Sequence, residues 1–341
     1  MLHLGTLVDL LAAAPYVSGE DLAEQLGVTR TAVWKQVGIL RKLGYQITAH
    51  PRRGYHLVGR PDKLYPWEVR KDLATQRIGK TIEYYDELPS TNRRAKEIVG
   101  TVPEGTVVLA ETQLNGRGRL GRSWFSPPGT GIWLSLILHP SFSPVELPKL
   151  NLLAAAALSR AVHTTLGFRP LVKWPNDLYY QDRKLSGILT EAGGELGRLE
   201  YVILGVGINV NQKNSDFPAE LRTKAGSLRM MSGRLVDRRQ LFCGFLQIFE
   251  EEYFYALAQG FERSLAYCRE YTATLGRPVE VDNGQRVYRG KAVAIAEDGA
   301  LIIEAGGERS RVVAGDVQPL TDHCSCWKEE SDELATKTEA D

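Results

Sequence analysis

From residue 116 to 122 the chain reads Gly-Arg-Gly-Arg-Leu-Gly-Arg, and it closes on Ser123-Trp124. Glycine lets the backbone approach a ligand and turn its N–H groups toward it, while arginine adds fixed positive charge. Such a loop suits an anion held beside an apolar group, so it is read as the active-site loop. The spacing also fits G-x-G-x-x-G, the dinucleotide-binding fingerprint. A strand over residues 106–110 precedes it, but Ser123-Trp124-Phe125-Ser126-Pro127-Pro128-Gly129 cannot open a helix, and no acidic ribose partner lies about twenty residues on. No Gly-Lys-Ser/Thr ends the run, which excludes a Walker loop. For the loop alone, a solvated basic turn is the plain alternative.

Other motifs argue against the plain alternative. Leu88-Pro89-Ser90-Thr91-Asn92 lies upstream; downstream come Val172-Lys173-Trp174-Pro175-Asn176-Asp177, then Lys184-Leu185-Ser186-Gly187-Ile188, then Gly205-Val206-Gly207-Ile208-Asn209. Together with Gln113 and the Gly/Arg loop, and in this chain order, they resemble the biotin protein ligase family over roughly residues 80–320.

The resemblance implies an enzyme that joins the biotin carboxylate to the α-phosphate of ATP, expels pyrophosphate, and offers the mixed anhydride to a lysine of a biotin carboxyl carrier protein. Every stage develops negative charge, which preorganised cations and backbone N–H groups stabilise best once water is excluded. The implied catalytic residues are Lys184, Arg119 and Arg117. For biotin it implies Ser90, Thr91, Asn92, Gln113, Gly116, Arg117, Gly118, Arg119, Trp124, Lys184, Gly187 and Gly205, and for ATP or the adenylate Arg119, Arg122, Trp124, Asn176, Asp177, Lys184, Gly207 and Asn209. Ser90 and Thr91 carry hydroxyls suited to a ureido group, although the Ser-Thr-Asn trio alone reads equally as a helix N-cap. Trp124 and Trp133 suit apolar walls. Asp177 is the candidate ligand for Mg²⁺, with a structural turn at Asn176-Asp177 the competing reading. Gly205, Gly207 and Asn209 let a strand pass close to a nucleotide, and residues 211–218 read as a loop over adenine. Leu120 stands where some relatives carry another arginine, which removes one charge and leaves the Gly/Arg pattern intact.

Composition bounds the rest. At 341 residues two or three domains are expected. A net charge of +1 argues against a chain-wide nucleic-acid coat, so any basic surface is local. No apolar run approaches the ~18 residues of a membrane span, and Met1-Leu2-His3-Leu4, with Asp9 close behind, lacks the basic region of a signal peptide; the cytoplasm is expected. Cys243 and Cys268 sit in helix-like sequence and Cys324 and Cys326 in a polar tail, which is no disulfide framework; His323-Cys324-Ser325-Cys326 lacks a second cluster to complete a metal site.

The expected architecture is α+β in successive units. Residues 1–60 read as a winged helix-turn-helix: Ser18 caps a short helix, Gly27-Val28 turns the chain, and Thr29 caps a second helix whose Val33, Val37 and Leu40 face inward. Seven bases oppose four acids there, a net +3, with the excess on the second helix and on the wing around Pro51-Arg52-Arg53. The DNA-contact candidates are Thr29, Arg30, Thr31, Trp34, Lys35, Arg52 and Arg53; a winged-helix-shaped protein-interaction module is the alternative, and Trp34 reads as either contact or core. Residues 61–80 read as a linker with some helix. Residues 81–274 read as a mixed α/β catalytic domain, in fold like a class II aminoacyl-tRNA synthetase by the resemblance. Its strands are expected at 82–85, 106–111, 132–138, 171–173, 185–191 and 200–210, with helices at 149–166 and from 238 to about 271, interrupted at Gly260. Residues 275–320 read as an SH3-like barrel of short strands broken by Asp282-Asn283-Gly284, Glu297-Asp298-Gly299 and Gly306-Gly307, and residues 321–341 as a disordered tail.

The combined reading is a bifunctional biotin ligase and biotin-responsive repressor, its partners a carrier protein, operator DNA and a second copy of itself joined under biotinyl-5′-AMP. The rivals are a biotin-sensing transcription factor without turnover, disfavoured by Lys184 and the arginines, and a lipoate or octanoyl ligase, which gives no reason for the Gly/Arg loop.

Overall fold

The computed structural model describes residues 2–195 and 197–320. The chain divides into two compact units at Asp72/Leu73. The tail expected to be disordered, with Cys324 and Cys326, lies outside the described residues.

In the first unit the helices are α1 (Leu2–Ala12), α2 (Gly19–Leu26) and α3 (Arg30–Lys42). Ser18 Oγ accepts the Asp21 N–H at 3.0 Å, and Thr29 Oγ1 accepts that of Ala32 at 3.2 Å, so both helices start where an orphan amide finds a hydroxyl. Gly27 ends α2 in the left-handed region, φ 64°, which a side chain would resist. Leu22, Val33, Val37 and Leu40 are buried, and α1, unmarked in the sequence reading, adds Leu7, Val8 and Leu11 to the same core. The wing is an antiparallel hairpin of β1 (Gln46–His50) and β2 (Gly54–Gly59).

Half of the stretch read as a linker packs on this unit. Leu64, Tyr65 and Val69 are buried, and the short α4 (Pro66–Val69) carries the buried Glu68, which accepts from Tyr45 Oη at 2.7 Å and Arg60 at 2.5 Å. Burial, helped by Glu68, pushes the Tyr45 phenol above its usual value. Beyond the boundary, residues 76–78 are fastened within the second unit: the Glu250 carboxylate accepts the N–H groups of Gln76, Arg77 and Ile78 at 2.6–2.7 Å.

The second unit is built on a seven-stranded sheet of β3 (Ile82–Leu88), β4 (Val107–Gln113), β5 (Gly131–Leu138), β6 (Leu171–Lys173), β7 (Asp177–Tyr180), β8 (Arg183–Gly193) and β9 (Tyr201–Asn209), in the order β3-β4-β5-β9-β8-β7-β6. Only β3 and β4 pair in parallel. Helix α5 (Thr91–Ile98) lies on one face, where Ala95 and Ile98 meet Val108, Ile137 and Ile203. The longer α6 (Leu147–Leu166) packs against α8 (Arg238–Gln259) and α9 (Glu262–Glu270), with the short α7 (Leu228–Ser232) before them in the chain. Helix α6 is buried beyond its expected stripe, because Leu152, Ala155 and Ser159 also face neighbours; small alanines let it lie between the sheet and two helices.

After Gly276 the chain forms β10 (Pro278–Asp282), β11 (Val287–Ile295), β12 (Leu301–Ala305), β13 (Glu308–Val312) and β14 (Asp316–Pro319), antiparallel in the order β13-β12-β11-β10-β14. The sequence reading missed β14, four residues closed by a proline. No helix among the described residues is long and apolar enough to cross a membrane.

Candidate active site

Three glycines make the floor. Gly187 on β8 pairs with Gly207 on β9, and Gly205 lies two residues before Gly207, hence on the same face. A Cβ at Gly207 would stand 2.4 Å from Trp124 Nε1, one at Gly187 3.0 Å from the Trp124 ring and 3.4 Å from Lys184 Nζ, and one at Gly205 2.2 Å from Asn92 Oδ1. Hydrogen in place of a side chain at these points lets Trp124, Lys184 and Asn92 rest directly on the sheet.

Around the Asn92 end runs a polar network. Thr91 donates to Gln113 Oε1 from its N–H at 2.8 Å and from Oγ1 at 3.1 Å, while Gln113 Nε2 donates to Ser126 Oγ at 3.0 Å. Ser135 Oγ lies 2.6 Å from Asn92 Oδ1 and 2.8 Å from Thr91 Oγ1, and Asn92 Nδ2 donates to Glu191 Oε2 at 2.7 Å. Ser90, Thr91 and Asn92 are buried, and Ser90 stands at the N-cap of α5 without a side-chain capping bond, which leaves its hydroxyl to other uses. Burial raises the Glu191 carboxyl, but the hydrogen bonds from Lys96 and Asn92 and the charges of Lys96 and Arg117 outweigh it, so Glu191 titrates below its usual value.

At the other end stands the charge. Lys184 Nζ pairs with Asp177 Oδ2 at 2.6 Å and lies 5.4 Å from the centre of the Trp124 ring, in cation–π range. Two buried polar atoms here have no hydrogen-bond partner, Asp177 Oδ1 and Trp124 Nε1. Buried polar groups are normally satisfied, so an acceptor and a donor left open around one lysine are the marks of a ligand site. Asn176 acts as a brace: its Nδ2 donates to Ile188 O at 2.6 Å and its Oδ1 accepts from Arg119 at 2.9 Å. Trp133, fully buried, meets Trp124 edge-on at 6.5 Å.

The arginines divide their work. Arg119 also donates to Gly315 O at 3.1 Å, and burial lowers its pKa against the opposing charges of Asp177 and Asp316. Arg122 makes a bidentate pair with Asp316 at 3.0 and 2.6 Å; that hydrogen bond raises Arg122 and holds the Asp316 carboxyl below its usual value. Both contacts come from the segment opening β14, so the C-terminal sheet grips the loop. Arg117 is exposed, and Leu120, 72 % exposed, takes a left-handed φ of 54°, an unfavourable conformation for its side chain.

Some members of this constellation carried no assigned role in the sequence. Ser135 and Glu191 lie inside strands, where the pattern gives them a face but no partner; Gly315 and Asp316 lie about two hundred residues from the loop they hold. Lys173 stood in the quoted Lys-Trp-Pro-Asn-Asp run. Its ammonium lies 4.7 Å from the Tyr179 ring centre, and burial lowers its pKa with Asp177 opposing. Asn209 touches the site through Lys184 O at 3.5 Å. Lys184 is further fixed by main-chain bonds to Lys224 and Gly226, which hold residues 224–226 beside it. Thr29 spends its hydroxyl on capping α3, while Arg30, Thr31, Trp34, Lys35, Arg52 and Arg53 are exposed on the first unit. Among the described residues no group of three or more His, Cys, Asp or Glu could hold a metal ion.

Comparison with known proteins bears on the whole chain. Residues 84–209 match the biotin/lipoate A/B protein ligase family, residues 4–56 an HTH domain, and residues 274–318 the biotin protein ligase C-terminal domain. The bifunctional ligase/repressor BirA of Bacillus subtilis is 37% identical over 92% of this chain and 97% of its own. The chain belongs to the biotin protein ligase family. Within it, the bifunctional ligase/repressor of Escherichia coli is 31% identical over 88% of this chain and 92% of its own. The solved biotin protein ligase of Aquifex aeolicus, in complex with biotin and ATP, superposes with a TM-score of 0.63 at 30% identity, over 70% of this chain and 98% of that one. The two full-length relatives place this biotin ligase among those that are also repressors.

Proposed function

We propose that the glycine-floored face between Asn92 and Lys184 is where this biotin ligase activates biotin with ATP. The biotin carboxylate oxygen attacks the α-phosphorus, the bond to pyrophosphate breaks, and biotinyl-5′-AMP remains. The amine of a carrier-protein lysine then attacks the acyl carbon, AMP departs, and the amine loses its proton to give the amide. The observation that carries this reading is Lys184, seated on Gly187 beside Trp124 and Asp177, with an open donor and an open acceptor within the same cluster.

Ser90, Thr91, Asn92 and Gln113 hold the ureido end, where their existing network supplies both donors and acceptors. Gly116, Arg117, Gly118 and Arg119 close over the ligand, and Lys184 meets the carboxylate and the α-phosphate. Trp124, Asn176, Gly207 and Asn209 flank the nucleotide, and Arg122, on leaving Asp316, adds charge at the phosphates. Asp177, with one oxygen open and the other released when Lys184 turns to the anion, would hold Mg²⁺ beside the phosphates, where the ion supplies charge neutralisation. The first unit reads operator DNA, biotinyl-5′-AMP promotes a homodimer that spans a two-fold operator, and the protein works in the cytoplasm.

Incubation with biotin, ATP and magnesium, followed by mass analysis, tests the chemistry: biotinyl-5′-AMP and pyrophosphate are expected, then a labelled carrier domain. A protein that binds biotin and yields no adenylate is the sensor without turnover, and one that prefers lipoate in competition is the lipoate enzyme. Sedimentation with and without both substrates tests the dimer.

A further inference from the structure

We infer that Trp34 is the residue by which α3 reads thymine, through its 5-methyl group, in the major groove; the inference rests on the proposed DNA-binding role of the first unit. At 100° per residue, Val33, Val37 and Leu40 turn to the core, Thr31, Lys35 and Gly38 lie on the opposite face, and Trp34 stands on the flank between them, roughly 90° from the core direction. Trp34 is 63 % exposed there. One turn on, a Cβ built at Gly38 would meet nothing within 4 Å, so the helix surface there is open to close approach. Arg30, Lys35, Arg52 and Arg53 are exposed on the same helix and wing, the charge complement of a phosphate backbone.

The chemistry narrows the target. An indole offers a broad apolar surface, one N–H donor and no acceptor. In the major groove the bases present donors and acceptors, and thymine alone presents a methyl group, the apolar feature an indole can cover. Burying that methyl also removes from water the surface Trp34 leaves exposed in the free protein.

The test uses the full-length protein with biotin, ATP and magnesium, and duplexes enriched by it from a random-sequence pool. Each thymine of an enriched duplex is replaced in turn by deoxyuridine, which deletes only the methyl. The wild type should lose about fourfold in affinity at one or more positions per half-site. Trp34→Ala should bind the parent duplex about tenfold more weakly and be indifferent to uracil at those positions, while Trp34→Phe retains part of the discrimination. Equal thermal midpoints of wild type and variants verify that the exposed site tolerates the changes. Methyl deletion without effect in the wild type, or with equal effect in Trp34→Ala, overturns the inference while leaving DNA binding intact. Duplex affinity unchanged by Trp34→Ala also overturns it and assigns the indole to a protein partner. Failure to enrich any duplex overturns the DNA-binding role and this inference together.

Discussion

Substituting Gly205 by alanine tests how the floor positions the proposed biotin end. The added methyl would stand 2.2 Å from Asn92 Oδ1, 2.9 Å from its Cγ and 3.0 Å from its Nδ2. Ordinary contact begins near 3.4 Å, so the carboxamide must retreat by more than about 1 Å. It has little room, since Asn92 is buried and held at 2.6 Å by Ser135 and at 2.7 Å by Glu191. Losing both bonds in a buried place costs about 1–3 kcal/mol each, and removing a glycine from a strand returns about 0.5–1 kcal/mol. The net destabilisation is therefore about 1–5 kcal/mol, which lowers the thermal midpoint of a unit this size by roughly 2–20 °C. Calorimetric unfolding measures the first quantity, and titration with biotin should show affinity reduced by at least about tenfold, as 1.4 kcal/mol per decade implies for one lost contact. An unchanged midpoint together with unchanged biotin affinity would show that Asn92 is not held in this way.

Gly207→Ala presses instead on Trp124, a half-buried loop residue rather than a strand side chain, so its stability should stay within about 1 kcal/mol of wild type while adenylate synthesis, followed by pyrophosphate release, falls by more than about tenfold. Lys184→Ala and Arg119→Ala should each slow adenylate synthesis by roughly 10²-fold or more without loss of fold, and turnover near wild type in either purified variant removes that residue from the mechanism. Because the folded Glu191 carboxyl lies below its ordinary 4.5, its contribution to stability is present above that pH and is lost as pH falls through the lowered value; acid unfolding of Glu191→Gln should show a smaller loss over the acid range than wild type. Asp316→Asn should release Arg122 and make the loop more susceptible to proteolysis, read as a faster first cleavage between residues 116 and 124.

Local chemistry was legible where it was self-contained. Ser18 and Thr29 announced the starts of α2 and α3, Gly167 the end of α6 and Gly260 the break between α8 and α9, and the short stretch 171–173 and the apolar run 132–138 gave strands within a residue of those observed. Helix α1 escaped because it has no cap signal, and β7 because a four-residue strand behind Pro175 carries too short a pattern. Trp34 could not be assigned from the sequence, since an aromatic residue beside a buried stripe fits either the core or the surface; its exposure follows from Val33 and Val37 filling the core instead.

By itself the sequence determined which groups could meet an anion: the glycines and arginines of 116–122, Lys184, and the polar run at 90–92, because side-chain charge and backbone freedom belong to the residue wherever it stands. Only the tertiary structure decided their company. Strand register set Gly187 against Gly207 and so put Trp124, Lys184 and Asn92 on one face, and the return of β14 brought Gly315 and Asp316 to Arg119 and Arg122. Contacts between residues so far apart in the chain depend on how strands pair and pack, and no local pattern records that.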